Sequence, residues 1–326
     1  MTRAGVVTSG GDCFVFLLFY HFFDKVWRGE VDKLYINLNS AVDKKIVDFI
    51  QSRVTNPKID FTYLDHSIGS GLPIKMCVDK CTEDLIVVLE EDGYIFEQGT
   101  LNKCFEAIEK DEYDAVGSPR GSCSEGIWKA SGEKYQLDYT KYGDVGPNFW
   151  PNFFFVKRKD LLKTDLNCGS KEWLPGELIK ELNLTCKERE VGDTFVWESI
   201  QLRAMGLRFW EVPQWKASPY EIENKQNRMG YWIQKPFGWL HAGSLSSGMN
   251  GFLRGDILPI VDEGNRMDFE TRVSFWTIAA ELEDYSEIKE FKDDYLAGIE
   301  KTIINHNLDR ERIKAKISLY KELMRI

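Results

Sequence analysis

The sequence predicts an α/β protein: a mixed, mainly parallel sheet flanked by helices, with further helices gathered at the C-terminal end. Three observations carry that expectation. Over the first hundred or so residues, short apolar runs alternate with longer helical stretches, the pattern of repeated strand–helix units. Each apolar run ends in polar residues or glycine, as strands do where they leave a sheet. Residues 268–326 carry apolar side chains at three-to-four spacing with no strand between them.

The elements follow in order. Residues 5–8 read as the first strand, 13–27 as a helix, 33–38 as the second strand and 42–54 as a second helix. Residues 60–64 are the third strand, 72–81 a third helix and 85–89 the fourth strand. A helix over 101–110 and a strand over 115–117 lead into a Gly/Ser loop, 118–126. Residues 152–157 form a dense aromatic strand, 171–182 and 195–205 helices, and 208–212 a strand. The stretch 213–251 crowds aromatics, Gly and Pro without periodicity, which suits a loop-built wall. Helices over 269–283, 287–305 and 309–324 close the chain. In open α/β sheets ligands bind at the carboxyl ends of the strands, so the loops after the first four strands are expected to converge on one crevice.

Composition bounds what such a protein does. With 326 residues, 43% hydrophobic and 13% aromatic, the chain can bury a substantial core, which excludes a disordered or fibrous architecture. A formal net charge of -10 argues against an extended phosphate-binding surface, because nucleic-acid affinity relies on clustered Lys and Arg. The seven cysteines (Cys13, Cys77, Cys81, Cys104, Cys123, Cys168, Cys186) are odd in number and form no CxxC, so neither a disulfide framework nor a zinc knuckle is expected, and a reducing cytoplasm is the natural compartment. The apolar run 14–23 is only ten residues long and carries His21. It is too short to cross a bilayer and lacks the flanks of a signal peptide, so it reads as a buried helix, and no transmembrane segment is expected.

Three places concentrate chemistry. Residues 85–93 form a buried strand that delivers Glu90 and Asp92 to one side with Glu91 between them. Alternate carboxylates there can hold a hard divalent cation and leave positions for diphosphate oxygens; an acidic turn is the plainer reading. Asp193 stands at a predicted helix start, where unpaired amides stabilise an anion, so it serves as a base, an N-cap or both. Glu198 lies five residues on. His241, one of four histidines, ends the apolar run Trp239-Leu240 and precedes small residues. The loop after strand one, Ser9-Gly10-Gly11-Asp12, is neither a P-loop nor a dinucleotide fingerprint.

In their order and spacing these segments resemble the GT-A class of glycosyltransferases, over roughly residues 5–250. In that class a fourth-strand apolar run ends in an Asp-x-Asp type motif that binds metal and sugar nucleotide. Glu90-Glu91-Asp92 stands at that place with Glu as its first acid. The resemblance implies Asp92 as a metal ligand, Glu90 as a group touching the metal or else the sugar or ribose, and Glu91 beside the nucleotide sugar. It implies Asp193, thirteen positions before Gly206, as catalytic base, and His241 as the residue that completes the metal shell. An imidazole beside two carboxylates suits manganese, Mn2+, more than magnesium. The resemblance further implies that Thr8, Ser9, Gly10 and Asp12 cradle the base and ribose, that Asp65 accepts from a base imide, and that Lys75 faces the diphosphate. As a helix residue Lys75 is equally well a solvated charge.

The expected organisation is then a GT-A catalytic domain over 1–262, with a nucleotide-sugar-binding half 1–117 and an acceptor-side half 118–262, and a helical appendage over 263–326. The expected activity is metal-dependent transfer of a hexosyl or pentosyl group from a nucleoside-diphosphate sugar, a UDP-sugar favoured, to a saccharide hydroxyl. Two alternatives stay open. One is transfer to a modified base in DNA, as viral glycosyltransferases do, supported by Arg203, Arg208, Lys216, Lys225, Arg228 and Lys235 and by six basic residues between Asp309 and Ile326. The other is a nucleotidyltransferase, although residues 8–14 carry none of the basic residues such a loop usually has.

Overall fold

In the computed structural model the described residues are 1–10, 12–27, 29–39, 44–64, 66, 68, 71–121, 131–136, 138, 146–164, 166, 194–212, 215–216, 232–234, 238–242, 245 and 263–326. Apolar runs form β1 (Arg3–Ser9), β2 (Lys33–Asn39), β3 (Ile59–Leu64) and β4 (Leu85–Glu90), followed by the short β5 (Gly93–Ile95). β6 (Ala115–Gly121), β7 (Gly146–Lys157) and β8 (Phe209–Glu211) complete a seven-stranded sheet of order β3-β2-β1-β4-β7-β6-β8. β7 runs antiparallel to both neighbours, β4 and β6; the other pairings are parallel. This is the mixed, mainly parallel sheet that the sequence predicts. β6 and β7 extend beyond their expected ends, because the two pair along an irregular ladder that reaches Gly121 opposite Gly146.

Both faces of the sheet are covered, so its central strands are apolar on both sides rather than alternating. Val7, Leu34, Ile36, Leu85, Val87 and Leu89 face one core, while Ala4, Val6, Tyr35, Ile86 and Val88 face the other. The first core is shared with α1 (Cys13–Phe22), α2 (Lys44–Arg53) and α4 (Thr100–Glu109); the second with α3 (Gly71–Lys80), α5 (Arg158–Leu161) and α6 (Val196–Ala204). The helix expected over 13–27 continues past α1 as a π-helical turn, Phe23–Trp27. That turn brings Trp27 against Gly5, where a Cβ would stand 2.6 Å from Leu34 and 3.2 Å from the Trp27 ring. The helix expected over 171–182 lies outside the described residues.

The C-terminal helices are α7 (Glu263–Ala280), α8 (Lys289–Asn305) and α9 (Arg310–Met324), and they pack straight into the first core. The Phe14 ring lies 5.1 Å from Tyr285 and 4.7 Å from Tyr295, and Phe275 stacks between Tyr94 at 5.8 Å and Tyr320 at 4.6 Å. Polar groups meet between α7 and α9: buried Lys316 donates to Thr271 Oγ1 at 2.8 Å, and Arg312 donates through Nη2 to Oε1 of buried Glu270 at 2.7 Å. The basic residues of α9 are engaged within the fold. Arg310 pairs with Glu300, Lys314 with Glu311, Lys321 with Glu281 and Arg325 with Glu97. Among the described residues no helix is long and apolar enough to cross a membrane.

Candidate active site

The site is built where two sheets meet. Beyond β4, residues 91–92 turn the chain into β5, the edge of a second sheet of order β5-β11-β10-β9, with β9 (Trp215–Lys216), β10 (Trp232–Gln234) and β11 (Trp239–His241). β5 pairs antiparallel with β11, and the register sets His241 opposite Gly93, one residue past Asp92. That pairing brings residues 92 and 241 together across nearly half the chain. Glu90, Asp92 and His241 each offer a ligand atom within 4.8 Å of the others'. His241 Nε2 lies 3.2 Å from Asp92 Oδ1. Asp92 and His241 are buried, whereas Glu90 at the strand end is half-buried.

Backbone amides fix the carboxylates. Leu245 N–H donates to Asp92 Oδ2 at 3.2 Å, and Ala242 N–H to the Asp92 carbonyl at 3.0 Å. On the other side Glu91 N–H donates to the Thr8 carbonyl at 3.2 Å, and Gly10 N–H donates to Glu91 Oε1 at 2.7 Å. Thr8 and Glu90 are register partners in β1 and β4. Thr8, Ser9 and Gly10 therefore flank the acidic turn; Gly10 alone of the three is exposed. Glu91 is buried, and its Oε2 has no hydrogen-bond partner among the described residues.

Burial and crowding shape the electrostatics. Desolvation pushes the Glu91 carboxyl well above the usual carboxylate range, and the charges of Asp92, Asp12 and Glu90 add to it against the bond from Gly10. Glu91 therefore holds its proton more tightly than an ordinary carboxyl. Tyr94, buried beneath, is raised well above its ordinary value by desolvation and then by the same acids. A divalent cation fits these donors: two carboxylate oxygens and one imidazole nitrogen, close together.

The remaining expected residues distribute as follows. Asp12 caps α1, accepting from Phe14 N and Val15 N at 3.0 Å through Oδ1, and its Oδ2 accepts from Tyr295 Oη at 2.7 Å. Lys75 pairs with Asp79 one turn along α3, at 2.5 Å. Asp65 and Asp193 lie outside the described residues, as do 243–244 and 246–262 after His241. Glu198 is buried in the first turn of α6. Two contributors lay beyond sequence reasoning: Trp276 Nε1, which donates to the Leu245 carbonyl at 3.1 Å, and Tyr295. Both sit on helices whose apolar spacing signals only burial.

No protein-family model matches the chain, and no curated protein matches it. Solved structures do. The chain is similar to GalNAc-T7 with UDP, GalNAc and Mn2+, at 12% identity and a TM-score of 0.40, over 58% of this chain and 41% of that one, so it spans well under half of that structure's length. It is similar to HddC from Yersinia pseudotuberculosis at 14% identity and a TM-score of 0.34, over 59% of this chain and 88% of that one. It is also similar, at 10% identity and a TM-score of 0.43 over 99% of this chain and 85% of that one, to the mannosyltransferase PcManGT from Pyrobaculum calidifontis in complex with GDP-Man and Mn2+.

Proposed function

We propose that this protein is a metal-dependent glycosyltransferase that moves a sugar from a nucleoside diphosphate to an acceptor hydroxyl, with a UDP-sugar as donor and a saccharide as acceptor. The convergence of Glu90, Asp92 and His241 at the carboxyl end of β4 carries the reading. When bound there, a divalent cation supplies charge neutralisation to a diphosphate leaving group. The mixed nitrogen and oxygen donors favour Mn2+ over Mg2+. Thr8, Ser9 and Gly10 bound the crevice on the nucleotide side, and Asp12 supports that loop from beneath by capping α1. Asp65 accepts from the base and Lys75, released from Asp79, meets the diphosphate. Asp193 takes the proton from the acceptor hydroxyl.

The acceptor is argued from charge. The pairing of the α9 basic residues within the chain supports a saccharide over a DNA acceptor. Arg203 and Arg208 are likewise paired, with Glu211 and Asp114.

Calorimetry with UDP tests the donor side. Wild-type protein binds UDP only with Mn2+, and Asp92→Asn weakens that binding by about 100-fold or more, as removal of a metal ligand should. Metal-independent binding, unchanged in the variant, overturns the reading. Turnover separates the classes: slow release of nucleoside diphosphate from the sugar nucleotide marks a transferase, pyrophosphate a nucleotidyltransferase, and neither a binding protein. Asp193→Ala should keep nucleotide affinity and lose about 10²- to 10⁴-fold in transfer, the usual worth of a general base. Strongly salt-dependent binding of duplex would restore the DNA acceptor.

A further inference from the structure

Resting on the metal-site reading above, we propose that Trp276 of α7 is a positioning residue for Asp92, so that the C-terminal helices form part of the metal site's supporting structure. A relay of two hydrogen bonds carries this. Trp276 Nε1–H donates to the Leu245 carbonyl at 3.1 Å, and Leu245 N–H donates to Asp92 Oδ2 at 3.2 Å. Trp276, Leu245 and Asp92 are all buried, and a buried indole N–H is held to its acceptor because leaving it unsatisfied is costly. The backbone of Leu245 is thereby gripped on both sides of its Cα: its carbonyl by α7 and its amide by the carboxylate. Holding Oδ2 leaves Oδ1 directed at His241 Nε2, 3.2 Å away, which is the side on which the cluster's ligand atoms gather.

Partners of this kind that orient a metal-binding carboxylate are worth about 10- to 100-fold in metal affinity. Trp276 acts through one intervening residue and belongs at the low end of that range. The Tyr295 bond to Asp12 is a parallel contact from α8 to the opposite wall, so the acidic turn is braced from two helices of the same C-terminal group.

The test is Mn2+ titration of the full chain, read from the loss of the free-ion electron paramagnetic resonance signal. Trp276→Phe keeps an aromatic ring and removes the donor. Ile278→Ala, a cavity in the same buried helix, serves as the control for lost packing. Trp276→Phe should weaken Mn2+ binding by about tenfold while Ile278→Ala, at a comparable drop in melting temperature, leaves it near wild type. Wild-type affinity in Trp276→Phe, or an equal loss in both variants, overturns the positioning role. A wild-type chain that takes up no Mn2+ overturns the metal-site reading, and this inference with it. Should Trp276→Phe not fold, amide exchange in the wild type decides: Leu245 N–H must be strongly protected, and exchange at the rate of an open loop overturns the relay.

Discussion

At the scale of single residues, Asp12 shows how closely the loop after β1 is tied into the fold. Its two oxygens are taken up by the amides of Phe14 and Val15 and by the Tyr295 hydroxyl. Burial nonetheless dominates those bonds and raises its pKa from 3.8 to about 6. A carboxyl raised in the fold binds its proton more tightly folded than unfolded. The resulting stability is full below 3.8 and is lost as pH climbs through about 6. The gap corresponds to about 3 kcal/mol. Asp12→Asn keeps a good N-cap and cannot ionise. Relative to wild type it should therefore gain stability, by up to about 3 kcal/mol, between acidic and neutral pH, as read from urea denaturation at the two extremes. A constant difference across that window would show that Asp12 does not titrate in the fold.

At the scale of elements, legibility tracks the length of the pattern. β4 is six residues, an uninterrupted apolar run of five that ends in Glu90, and a sequence reading finds it along with Glu90 and Asp92. β5 and β11 are three residues each, too short for any period to register, so the acidic turn read as a loop although it leads into a second sheet. His241 stands out in the sequence by its place after an apolar pair and by the resemblance to the GT-A class, and only the β5–β11 register explains why it meets Asp92. Gly238 protects that register. Its φ is +50°, and a Cβ there would stand 2.0 Å from Glu97 Cβ and 2.9 Å from Glu97 N, while its carbonyl accepts from Phe96 N at 2.8 Å. Gly238→Ala must strain the backbone and push β11 away from β5. The strain alone costs about 1–2 kcal/mol. A matching fall in unfolding free energy, together with weaker Mn2+ binding because His241 shifts, is the expected result; a variant that melts and binds as wild type would mean that β11 can re-seat freely.

At the scale of the whole molecule, the C-terminal helices were legible as helices but not as partners of the site, because their decisive contacts span 31 residues for Trp276 with Leu245 and 283 for Tyr295 with Asp12. An amphipathic period says that a face is buried and is silent about what it is buried against. The structure answers that Phe275, Trp276, Tyr285, Tyr295 and Tyr320 lie in the same core as α1 and the sheet. Each such side chain stabilises by roughly 1.5–3 kcal/mol when fully buried. Five of them together rival the whole stability of a typical domain, about 5–15 kcal/mol. A chain ending at residue 262 should thus lose its cooperative thermal transition and its near-ultraviolet circular dichroism, since α1 would expose Phe14 and β5 would expose Tyr94 to water. It should lose Mn2+ uptake as well, because Leu245 would no longer be tethered by Trp276. A truncated chain that melts cooperatively and still binds Mn2+ would instead make residues 263–326 a separable appendage and confine the site's support to the two sheets.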